Sequence, residues 1–185
     1  MKPEHAELYR RLMAFDIDGL QSVAFPFAAR LARENGWSRV FAERVVNEYK
    51  RYIFLAATVG RSMTPSEEVD QAWHLHLSYS KSYWTRMCGE LLNNPLHHNP
   101  TEGGSSEADK HLKQYDDTLR TYRETFGKDA PTDIWPPASI RFGPDAEGVR
   151  VVTHRSWVIP KRPVVKTAMT QIGRASCRER VCLAV

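Results

Sequence analysis

Cysteine is scarce in this chain, with three in 185 residues. Two of them, Cys177 and Cys182, fall in the last fourteen residues, so Cys88 stands alone in the rest. That excludes a disulfide framework and any CxxC metal or redox motif. HExxH and GxxxxGK are missing too, which removes the usual zincin and P-loop signatures. No run of 18 apolar residues exists, so no transmembrane helix lies within these residues. The start, MKPEHAELYRRL, carries Glu4 and Glu7 and no apolar segment, unlike a secretory leader.

A strong charge of one sign is also lacking. The formal net charge is +4, from 26 basic and 22 acidic residues. The last fourteen residues, IGRASCRERVCLAV, hold Arg174, Arg178, Glu179 and Arg180, and they read like a translated sequencing adapter closing a truncated open reading frame. Without them the balance is 23 against 21, or +2. Nucleic acid is therefore not an expected partner, and no nucleic-acid module is recognisable.

What remains is ordinary for a globular protein, 42% hydrophobic and 26% charged, in a chain long enough for one core. Helical periodicity dominates. Residues 4–15 predict a first helix. Residues 22–34 predict a second, with Ser22 as cap and Pro26 in its first turn, ended by Asn35-Gly36. Ser38 caps a third to about Val59, on which Lys50 and Arg51 read as a solvated face. A fifth runs from Ser105 or Ser106 to Phe126, stopped by Gly127. PTDIWPP, residues 131–137, is too proline-rich for a helix, and its Trp135 is expected to plug a gap between helices. Residues 139–142 and 149–159 have strand-like composition around a polar turn. The expected fold is mainly α, a compact bundle of about five helices with a small C-terminal β-hairpin. Its expected divisions are a helical domain at 1–137, the hairpin appendage at 138–160, a basic linker at 161–171 and the tail at 172–185.

The fourth helix is the most sharply marked. Thr64 reads as N-cap, Pro65 as first residue and Glu67 as third, a capping box with proline at its favoured place. Glu67, Glu68 and Asp70 load the first turn with negative charge. Val69, Trp73, Leu77, Trp84, Met87, Cys88 and Leu91 then fall in one stripe at helical spacing.

Four of the seven histidines lie between Thr64 and Thr101. Asp70 and His74 are four apart and share a flank. His76 lies roughly 160–200° round the helix from His74, near Tyr83 and Trp73. A helical HxH pair therefore cannot easily hold one ion. Two accounts of Asp70 and His74 stay open. One is a carboxylate–imidazole pair that fixes a tautomer. The other is a metal set completed by His97 or His98 from the turn-rich loop after Asn93-Asn94-Pro95, with Asp70, His74 and His97 as the expected ligands.

The motif order VDQAWHLHLSYSKSYW, PLHH-x-PT-x-GG, Y-x-x-TL-x-x-Y-x-x-x-FG and DIWPP resembles the glycine-rich domain-containing protein-like family in its bacterial branch. The resemblance runs from about Leu31 to Pro160. It implies a helical module, often followed by low-complexity, glycine-rich or membrane segments, and it carries no reaction. It places Asp70, Trp73, His74, His76, His97 and Thr101 at signature positions. A cytoplasmic location is expected, with tethering through a missing C-terminal part as an alternative. The expected function is a helical interaction or scaffold domain for an unidentified protein or small-molecule partner. Its ligand-binding or structural cluster is Asp70, Trp73, His74, His76, Tyr83, His97, His98 and Thr101. The alternative is a metal-dependent hydrolase on Asp70, His74 and a loop histidine, its cofactor a divalent transition metal. Glu102 and Glu107 are poor general bases for it, being exposed by placement.

Overall fold

The computed structural model describes residues 3–19, 23–98 and 105–143. The described part is helical: α1 (Pro3–Ala14), α2 (Phe27–Asn35), α3 (Arg39–Thr58), α4 (Glu67–Ser78), a π-helix, π1 (Lys81–Leu92), α5 (Ser105–Phe126) and a short α6 (Ala138–Arg141). No strand occurs among the described residues. The expected bundle is there, in seven helical segments. The first strand of the expected hairpin is not formed: Ala138–Arg141 is a helical turn behind Pro137, and the remainder from residue 144 on lies outside the described residues. The linker and the tail also lie outside them.

Helix α3 is the central member and packs on α1, α2 and α4. Ser38 caps it as expected, its hydroxyl accepting from the Phe41 amide at 3.1 Å. Ala42, Val45, Tyr49, Tyr52, Ile53 and Leu55 are buried along it. Lys50 and Arg51 are not a solvated face. The Lys50 ammonium donates to the Met13 carbonyl at 3.1 Å, and Arg51 pairs with the buried Glu48. Burial holds the Lys50 pKa below its ordinary value. Glu48 also accepts from the Trp135 indole at 3.1 Å, so the proline-rich segment is fastened to α3 by a buried charge-assisted bond. Trp135 fills the expected gap, 2% exposed.

Two features of the α4 region differ from expectation. The cap is Ser66, whose hydroxyl accepts from the Val69 amide at 3.2 Å. Thr64 is instead buried, its amide donating to the Thr118 hydroxyl of α5 at 3.2 Å. Tertiary pairing with α5 thus takes the residue that local sequence favours as a cap.

The single long helix is also broken. Tyr79 leaves helical geometry at φ −86°, ψ 57°, and its amide bonds back three residues, to His76. The chain then rewinds as π1, whose wider turn closes bonds from i to i+5. The buried set follows that spacing: Ser82 with Met87, Tyr83 with Cys88. A stripe drawn at 100° per residue holds for Met87 and Cys88, both buried, but not at every position beyond Tyr79. It assigns Trp84 to the core, yet Trp84 is 41% exposed, while Tyr83 is fully buried. Asn93 ends π1 in the left-handed region at φ 50°, which asparagine tolerates better than most residues.

Candidate functional site

Helix α4 presents His74 and His76 on opposite sides, as its geometry requires. His76 has no exposed surface. Its Nδ1 lies 2.8 Å from the Tyr49 hydroxyl and its Nε2 3.1 Å from the Ser82 hydroxyl. Ser82 donates its own proton to the Ile17 carbonyl at 2.7 Å. Its oxygen must therefore accept from His76, which places the imidazole proton on Nε2 and leaves Nδ1 to accept from Tyr49. Phe15, Phe27, Tyr49 and Tyr83 ring the imidazole, with centroids 5.3–6.2 Å away. Burial, with the nearby cations Arg86 and Lys50, pushes its pKa down to about 3. His76 is a neutral structural post whose two ring nitrogens are already engaged.

His74 is the opposite case, with half of its side chain exposed. Its Nδ1 lies 3.5 Å from Asp70 Oδ2, one turn earlier. The other carboxylate oxygen, Oδ1, lies 2.7 Å from His98 Nε2. The His74 and His98 rings approach to 4.4 Å between centroids. One ligand atom from each of Asp70, His74 and His98 lies within 4.8 Å of the others. The half-buried Asp70 sits between two imidazoles.

A short relay delivers His98 to this place. The Trp73 indole donates to the Tyr83 hydroxyl at 2.8 Å, and that hydroxyl donates to the Leu96 carbonyl at 2.5 Å. Burial raises the Tyr83 pKa, which keeps its proton available for the second bond. The loop after π1 is pinned at Leu96, with the Leu96 side chain against the core. In extended chain, neighbours point opposite ways and alternate residues share a side. His97 accordingly turns outward onto Trp84, at 5.6 Å between centroids. His98 turns back inward and sets its ring at the edge of Trp73, at 4.4 Å. The third member of the cluster is thus His98, and His97 as the expected third ligand is corrected. The period-two phase from Leu96, the loop's apolar anchor, is the signal that separates the two.

The expected cluster of eight residues divides. Asp70, His74 and His98 converge, with Trp73 and Tyr83 behind them as supports. His76 faces the core, His97 lies outside, and Thr101 falls outside the described residues. Three neighbours have no local sequence signal. Tyr49 and Ser82, partners of His76, come from α3 and from beyond the helix break. Arg141 of α6 lies within electrostatic reach of Asp70, Glu67 and Glu68, which partly offset the lowering of its pKa by burial. On the open side of His74 a groove of about 460 Å³ separates α4 from α2, with Arg30, Glu34 and Gln71 among its lining residues.

Chemically, one carboxylate and two imidazoles suit a borderline divalent metal such as zinc, and three protein donors leave positions for other ligands. The same atoms without an ion make a carboxylate-bridged histidine pair. The 2.7 Å separation is a hydrogen bond and the 3.5 Å one an ion-pair distance, and both suit donors around one small cation.

No family model matches the chain, and no solved structure matches it. The sequence is similar to Glycine-rich domain-containing protein 1 of Arabidopsis thaliana, 24% identical over 168 residues, which cover 88% of this chain. The chain spans about a fifth of that relative's length, 20%. This supports a relationship at the level of the glycine-rich domain-containing family and no finer placement.

Proposed function

We propose that this chain is a helical interaction module whose Asp70–His74–His98 cluster binds a divalent transition metal, zinc being the best match to its donors. The observation that supports this most directly is the convergence of three ligand atoms from two separate segments. One of those segments is held by a dedicated relay through Tyr83 to Leu96. A histidine fixed by core residues beside a half-exposed partner is preorganised for a ligand. Assignment to the bacterial branch of the family rests on the motif order alone. A cytoplasmic site of action, tethered or free, belongs to the same proposal. No helix among the described residues is long and apolar enough to cross a membrane.

Elemental analysis of protein purified without a histidine tag tests this. Close to one equivalent of metal is expected in the parent and a small fraction of that in Asp70→Ala; equal and negligible content in both, even after zinc loading, would sink the proposal. Metal-assisted hydrolysis is a second reading, favoured by one observation. Glu34, a carboxylate of the kind a general base requires, lines the groove beside His74. Zinc-dependent ester hydrolysis lost in Glu34→Gln would establish it, and zinc binding without turnover would leave the binding module.

A further inference from the structure

We infer that the groove beside His74 is the binding site for a small dicarboxylate, one end completing the metal's coordination and the other meeting Arg30. This rests on the metal reading above and goes on to name the ligand. His74 belongs to both places: it stands beside Asp70 in the cluster and also lines the groove. Of the three cluster residues, His74 is the one through which a bound metal would border the groove.

Arg30 is set up to receive an anion. Its Nε donates to the Tyr79 hydroxyl at 2.9 Å, and the guanidinium lies over the Tyr79 ring at 5.9 Å. That bond fixes the plane of the fork with Nε already occupied. Glu34 reaches Nη1 only at 4.0 Å, with both side chains well exposed, so the ion pair is loose and leaves the cation competent for a second carboxylate. Gln71 supplies an amide donor on the same wall. The Ser78 hydroxyl is committed to the Leu75 carbonyl at 2.6 Å and offers lone pairs only, which disfavours an anion at that corner.

The charges decide the class. Asp70 and Glu34 against Arg30 leave the empty site at −1, whereas a divalent metal makes it +1. Anion binding should then depend on the metal. Two cationic ends favour two carboxylates over one. His74 on α4 and Arg30 on α2 line this same groove. A small dicarboxylate can place one end on the metal and hydrogen-bond Arg30 with the other.

The experiment is calorimetric titration of the zinc-loaded full chain with succinate and glutarate, with acetate as the one-ended control. Succinate or glutarate should bind at least about tenfold more tightly than acetate, and only with zinc present. Arg30→Gln should remove that advantage, a loss of about tenfold or more, while zinc affinity stays at the parent value and reports an intact fold. Gln71→Ala, which touches neither the metal nor the Tyr79 bond, should lose a smaller factor in the same direction. Zinc binding with succinate no tighter than acetate, or with succinate binding unchanged in Arg30→Gln, overturns the dicarboxylate site and leaves the metal reading standing. Failure of zinc itself to bind overturns the metal reading first and this one with it.

Discussion

His74 and His76 are two residues apart on one helix and live in opposite surroundings. His76 is sealed by aromatic rings, with a hydroxyl on each nitrogen. His74 is half exposed, reaches a shared carboxylate at 3.5 Å and borders a groove. The inner histidine is satisfied and has nothing left to offer a ligand. The outer one is left with unspent capacity beside Asp70 and His98. The same residue type is thus divided between holding the fold and offering a site, and the 3.6-residue turn makes the division.

The largest expected effect lies on the inner side. His76→Ala should cost about 4 kcal/mol or more by denaturant unfolding, since it opens a cavity and strips a partner from the buried Tyr49 and Ser82 hydroxyls. A cost under about 1 kcal/mol would deny the buried chain its role. The same residue sets an acid response. Its folded pKa of about 3 lies below the unfolded value of about 6.5, so its contribution is complete above pH 6.5. It is lost as pH falls from there toward 3, a decline of order 5 kcal/mol. His76→Gln should flatten that part of the stability curve.

The tryptophans sharpen the contrast at a smaller scale. Trp73→Ala should destabilise by about 3–5 kcal/mol, because it empties core volume and breaks the relay that holds His98. Trp84→Ala should change stability by less than about 1 kcal/mol, since Trp84 stands outside the core beside His97. Equal and large costs for both would mean that the register of π1 is that of an ordinary α-helix.

Much of the helical fold was legible because its signals are local. Ser38 and Asn35-Gly36, with the stripes on α3 and α5, act through neighbours three or four residues away. The true cap of α4 is not legible, because the Thr64 hydroxyl that would cap it donates to Gln114, 50 residues on in the chain. Trp84 was misplaced for a different reason. An α-helical turn carried through Tyr79 puts Trp84 in the apolar stripe, and no glycine or proline marks the break there. In the site, the pairing of Asp70 with His74 and the separation of His74 from His76 follow from helix geometry. The choice between His97 and His98 needed the direction of Leu96 in the loop, and the groove needed α2 beside α4. Both are tertiary facts without a short-range signature.

The central claim is that His98, and not His97, joins Asp70 and His74 around one metal ion. The melting temperature with and without zinc tests it most directly, in the parent and in His74→Ala, His97→Ala and His98→Ala. At a hundredfold excess of zinc over its dissociation constant the parent should gain about 5–10 °C, reversed by chelator. His97→Ala should keep that gain, and His74→Ala and His98→Ala should lose most of it. A gain that survives in His98→Ala, or one that disappears in His97→Ala, would contradict the account.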